Sequence, residues 1–121
     1  SWATEVARSL AVKVETVGGI PFISANLGNA DGNFAQAVAD ALKGNFEGVV
    51  VLGTNNNGSV ALVASVTESL TDKAQAGKII QAIAPIVDGK GGGKSTQARG
   101  AGKDTSKLDE ALAQVSKILT N

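Results

Sequence analysis

The fold is decided by residues 48–67, Gly48-Val-Val-Val-Leu-Gly-Thr-Asn-Asn-Asn-Gly-Ser-Val-Ala-Leu-Val-Ala-Ser-Val-Thr67. Val49 to Leu52 is a continuous, largely β-branched run, the pattern of a strand buried on both faces. Thr54 to Ser59 holds Asn-Asn-Asn-Gly, and because Asn and Gly tolerate positive φ, this tract predicts a tight hairpin turn. Val60 to Thr67 is then the returning strand.

On the N-terminal side, Gly44-Asn45 ends a helical pattern in which Phe34, Val38 and Leu42 share one stripe with Ala35 and Ala39 alongside. The turn cluster Leu27 to Asn33 leads into that helix. Ile20 to Leu27 reads as a short strand, with Pro21 near its start. Gly18-Gly19 breaks the chain. Before it, Trp2, Val6 and Leu10 recur at helical spacing, so the segment from Trp2 to about Thr16 reads first as a helix, although Val12 and Val14 could begin a strand.

Beyond the hairpin, Thr71 or Asp72 can cap a third helix that buries Ile79, Ile83 and Val87, with Pro85 kinking or shortening its last turn. Asp104, Thr105 or Ser106 caps a final helix, Ser106 with Asp109 in a capping-box spacing. Leu108, Leu112, Val115 and Leu119 form its apolar stripe. This order of helices and strands predicts an α/β fold: a single small domain with a mixed β-sheet that contains a hairpin, and helices packed over it. Residues 1–17 are expected as a helix, in one reading the tail of a preceding helical region, and 18–121 as the globular domain.

Composition narrows the chemistry. The 121 residues are 43% hydrophobic and 18% charged, ordinary for a globular fold. There is no Cys and no His. Disulfides, thiolate nucleophiles, Cys-ligated zinc and His-based acid–base catalysis therefore have no residues to work with. No apolar run approaches the ~18–20 residues of a membrane span, and the N-terminus lacks the pattern of a signal peptide. No Met occurs even at position 1, as expected of a piece cut from a longer protein.

Formal net charge is zero, yet its distribution is lopsided. Between Gly89 and Lys107 stand Lys90, Lys94, Arg99, Lys103 and Lys107 against Asp104 alone, which leaves the rest of the chain acidic. This is the footprint of a localised anion site. The segment reads Asp88-Gly-Lys-Gly-Gly-Gly-Lys-Ser-Thr-Gln-Ala-Arg-Gly-Ala-Gly-Lys103. Gly93-Lys94-Ser95 resembles a phosphate-binding P-loop, but that motif needs Gly at position 88, where Asp stands, and a strand before it, where a helical segment comes. What remains is a glycine-rich loop whose backbone approaches an anion closely while basic side chains supply charge. The bland alternative is a solvated connector. Trp2, Phe22, Phe34 and Phe46 all lie elsewhere in sequence, so the loop itself offers no platform for stacking bases. That favours contact with a phosphate backbone or a folded shape.

Val87-Asp-Gly-Lys-Gly-Gly-Gly-Lys94, then Ala98, Gly102-Lys103 and Leu108-Asp-Glu-Ala-Leu112, resembles the C-terminal domain of alanyl-tRNA synthetases, a relative of the DHH-associated domain. The likeness spans nearly the whole chain. DHH phosphoesterases carry a His after the glycine run, and its absence here favours the synthetase branch. Where bacterial members commonly have Arg-Pro-Asp-Met-Ala-Gln, this chain has Lys94 to Arg99, and its Gly-Lys-Gly-Gly-Gly-Lys form looks more like eukaryotic members. The resemblance implies a nucleic-acid-binding module without catalytic residues of its own. Lys90, Gly91, Gly92, Gly93, Lys94, Gln97, Arg99 and Lys103 would form its contact surface. The implied partner is tRNA(Ala), with DNA, a general polyanion or a protein-interaction and dimerisation role as alternatives. The same resemblance puts catalytic and editing domains upstream in the parent chain, where ATP, magnesium and zinc would be used. It implies a cytoplasmic setting, or a mitochondrial form, and no membrane.

Overall fold

The computed structural model describes residues 1–120. Its centre is a six-stranded sheet in the order β1-β2-β3-β4-β6-β5. The strands are β1 (Glu15–Val17), β2 (Ile20–Asn29), β3 (Val49–Asn56), β4 (Ser59–Val66), β5 (Gly89–Gly93) and β6 (Gln97–Gly102). The helices are α1 (Trp2–Ala11), α2 (Gly32–Lys43), α3 (Ala76–Ile83), α4 (Leu108–Ala113) and α5 (Val115–Thr120). Among the described residues no helix is long and apolar enough to cross a membrane.

β3 and β4 pair antiparallel from Val49↔Val66 to Asn56↔Ser59, as the Asn-Gly signal predicts. Asn57 and Gly58 close the turn with φ of 53° and 88°, the positive pair that a two-residue hairpin of matching twist requires. β2 lies parallel to β3 and is joined to it through α2. Residue alternation on β3 supplies two cores at once. Val50 and Leu52 meet Ile23, Val38, Leu42 and Val63 under α1 and α2. Val49 and Val51 meet Leu62, Ile79, Ile83 and Leu108 under α3, α4 and α5. A run buried on both faces is the consequence.

Three element boundaries differ from the sequence reading. The first helix stops at Ala11, short of Thr16, and Glu15–Val17 turns back onto β2 with Val17 opposite Ile20. Gly18 and Gly19, with φ of 59° and 80°, are the hinge of that small hairpin. The β-branched Thr16 and Val17 therefore join the sheet edge that a Gly-Gly turn makes reachable. The third helix begins at Ala76, because Thr71 spends its hydroxyl on the carbonyl of Glu68 in a preceding 3-10 turn. The expected final helix is instead a 3-10 turn, Thr105–Lys107, followed by α4 and α5. Asp104 caps that turn, its carboxylate accepting from the Ser106 N–H, while α4 has no side-chain cap and the Ser106–Asp109 box does not form. Pro85 does shorten α3, which passes into a 3-10 turn over Ala84–Val87.

Candidate nucleic-acid interface

The glycine- and lysine-rich segment is not an irregular loop. It is the β5–β6 hairpin, which closes the sheet at the edge beyond β4. Gly89 lies opposite Gly102, Lys90 opposite Ala101, Gly91 opposite Gly100 and Gly92 opposite Arg99. The turn is closed by the Lys94 N–H donating to the Gln97 carbonyl at 2.8 Å.

Close packing against α3, the 3-10 turn that follows it and the partner strand explains most of the glycines. A Cβ on Gly91 would stand 2.5 Å from the Gly100 Cα and 2.6 Å from the Ile80 side chain. One on Gly93 would stand 2.6 Å from the Gln97 carbonyl oxygen, and one on Gly102 would stand 2.5 Å from that of Val87. On the helix side, a Cβ on Gly77 would meet the Gly93 oxygen at 2.6 Å. These close approaches let hairpin and helix touch backbone to backbone. Gly92 is different: a Cβ there meets only the flexible Gln81 amide, at 3.3 Å.

The hairpin tip also finishes α3. Gln75, its N-cap, contributes no side-chain bond. Instead the Ala76 N–H donates to the Ser95 carbonyl at 2.8 Å and the Gly77 N–H to the Lys94 carbonyl at 2.9 Å. Two of the four orphan donors of the first turn are satisfied this way. That helix end is therefore spoken for and offers those donors to no anion.

The basic residues occupy three places on the hairpin. Lys90 and Lys103 border one shallow depression with Asp88, Gly89, Ala101 and Gly102. Lys94 stands exposed at the tip. Arg99 lies opposite Val63, which belongs to the core under α1 and α2, so its side chain emerges on that face. There its guanidinium lies against Gly32 and donates to Asn33 Oδ1 at 3.4 Å. Gln97 is held by α2 as well: its Nε2 donates to Gln36 Oε1 at 2.9 Å, and its Oε1 accepts from Lys43 Nζ at 3.2 Å. Ala101 and Lys90 are exposed and Ala61 is half-buried, so this end of the sheet lies open past the cover of α2.

None of Lys90, Lys94, Arg99 or Lys103 has an ion-pair partner among the described residues, where the ion pairs are Lys43–Asp40 and Lys107–Glu110. The hairpin thus presents positive charge around a floor of small side chains. That surface can approach a polyanion closely and neutralise its charges. Sequence reasoning found the cations but missed Asn33, Gln36 and Lys43, which hold Arg99 and Gln97 from 54 to 66 residues away. No local signal pairs α2 with β6. The expectation of no accompanying aromatic holds for the hairpin itself but not for its neighbourhood. Phe34 follows Asn33 in α2, and it lines a cleft with Trp2.

Three comparisons place this arrangement among known proteins. The model of the DHHA1 domain matches residues 19–121. The alanine–tRNA ligase of Solibacter usitatus is 41% identical over 114 residues, 93% of this chain and 13% of that protein. That of Hydrogenovibrio crunogenus is 38% identical over 116 residues, covering 95% of this chain and 13% of its own length. The chain therefore spans about an eighth of the length of these relatives. Among solved structures, the C-Ala domain from Aquifex aeolicus alanyl-tRNA synthetase superposes with a TM-score of 0.82 at 25% identity. That match covers 89% of this chain and 98% of the other.

Proposed function

The chain belongs to the DHHA1 domain family, and from that membership we propose that it is the tRNA-binding appendage of an alanine–tRNA ligase. The observation that carries the reading is the β5–β6 surface, where Lys90, Lys94, Arg99 and Lys103 face solvent without carboxylate partners among the described residues, on a chain of zero net charge. On this reading the cations sit against phosphates of folded tRNA(Ala) and fix its register, with little reading of bases from the hairpin itself. Holding the tRNA body raises the effective concentration of its acceptor end at the parent's catalytic and editing domains. Chemistry that needs ATP, magnesium or zinc belongs to those domains, and the setting is the cytoplasm, or a mitochondrion for an organellar form.

Titration of labelled tRNA(Ala) at several salt concentrations tests this. Affinity should fall with log salt at a slope of about 0.7–0.9 per phosphate contacted. Absent or salt-independent binding would defeat the reading. The contact set is made of charges rather than base-reading groups, so DNA is the second candidate ligand. Competition between tRNA and duplex DNA separates the two: preferential displacement by DNA would transfer the site to that ligand.

A further inference from the structure

The basic face has a neighbour of different chemistry. Trp2 of α1 is 71% exposed, an unusual setting for the largest apolar side chain of the molecule. With Val6 from α1, Leu27 from β2 and Phe34 from α2 it walls a cleft of about 380 Å³, within the size range of small-ligand sites. The rim is polar, with Asn29 and Asp31. Asp31 Oδ1 caps α2 by accepting the Phe34 N–H at 2.8 Å, which fixes the backbone that carries the Phe34 ring. One wall of the cleft is therefore set before any ligand arrives.

The first turn of α2 joins this cleft to the cations. Asp31 and Phe34 line the cleft, while between them Gly32 lies against the Arg99 guanidinium and Asn33 accepts its hydrogen bond. The same helical turn thus borders an aromatic cleft and holds a guanidinium that has no ion-pair partner among the described residues. Phosphate on one side and base on the other is the chemistry of a nucleotide unit.

We propose that the Trp2–Phe34 cleft takes one unstacked nucleobase of the nucleic acid whose phosphates lie on the β5–β6 face. This rests on the function proposed above and adds a base contact that the hairpin alone cannot supply. The base lies against the Trp2 indole and the Phe34 ring, its polar edge turned to Asn29 and Asp31, while its backbone passes over α2 to Arg99. Such stacking tolerates any base, because each has a π-face. A second copy or an apolar peptide segment would cover the same walls but would make no use of Arg99.

The test uses the fact that Trp2 is the only tryptophan and that the chain has no tyrosine. Its emission therefore reports the cleft directly. Titration with a short unstructured RNA should quench it saturably, over the concentrations at which anisotropy of the labelled RNA reports binding. Inorganic polyphosphate should bind without that quenching. Trp2→Ala should weaken RNA about tenfold and leave polyphosphate affinity unchanged, whereas Trp2→Phe retains most of the affinity. Arg99→Ala should weaken both ligands. Thermal unfolding checks that each variant folds, and exposed Trp2 is not needed for that. RNA binding with unchanged emission and an indifferent Trp2→Ala overturns the base pocket alone and leaves the phosphate face standing. Failure of the short RNA to bind overturns the base pocket, and failure of tRNA(Ala) as well overturns both readings. A concentration-dependent blue shift that tracks self-association assigns the cleft to a second copy and overturns the proposal.

Discussion

Two of the sheet's three hairpins are built on opposite principles. In β3–β4 the side chains do the work: Val49 to Leu52 and Val60 to Val66 fill both cores, and Asn57-Gly58 makes the turn. In β5–β6 the absence of side chains does it. Gly91, Gly93, Gly100 and Gly102 clear the way for backbone to lie on Ile80, Val87 and Gly77, and only Ala98 joins the apolar core from these strands. Glycine is depleted in strands because it has nothing to pack and much entropy to lose. Here a helix laid directly on the strands compensates, so this hairpin is a product of tertiary contact. The first hairpin states its strand character in its own sequence, and the second borrows it from α3.

The sharpest way to break the second hairpin is to restore a side chain on the packed face. Gly91→Val should destabilise the domain by about 3 kcal/mol, read from urea denaturation, because backbone and Ile80 stand within 2.6 Å of its Cβ. For the first hairpin, Gly58→Ala places a Cβ at φ 88° and should cost about 1 kcal/mol by the same measurement. Thr54 allows a gain on that side: its buried hydroxyl has no partner among the described residues. Thr54→Val should raise stability by about 1 kcal/mol, measured as a higher midpoint at unchanged slope. The smallest effect belongs to Gly92→Ala, expected within about 0.5 kcal/mol of the parent. A loss comparable to that of Gly91→Val would mean that every glycine of β5 is structural. On the binding side, Lys90→Ala and Lys103→Ala should leave stability unchanged while each lowers the salt slope of nucleic-acid binding by about one.

This contrast also explains what could be read in advance. The α/β class, β3–β4, α2 and the apolar stripe of Leu108, Leu112, Val115 and Leu119 were legible because periodicity and turn chemistry are local. The start of α3 was not, since its cap comes from the carbonyls of Lys94 and Ser95 rather than from Thr71 or Asp72. Nor were β5 and β6, where a glycine run reads as coil until Ile80 and Gly77 are beside it. For the site, charge could be counted along the chain. The hold of Asn33 on Arg99 and of Gln36 on Gln97 depends on α2 lying next to β6.

The carbonyls of Ser95 and Lys94 that close α3 have a consequence for how the domain comes apart. The Ala76 and Gly77 amides can exchange with solvent only when the hairpin tip lifts away. Helix and hairpin therefore open as one unit, and hydrogen–deuterium exchange at these two amides is a clock for that opening. A ligand that grips the tip should slow this clock while leaving the amides of the β3–β4 turn at their own pace.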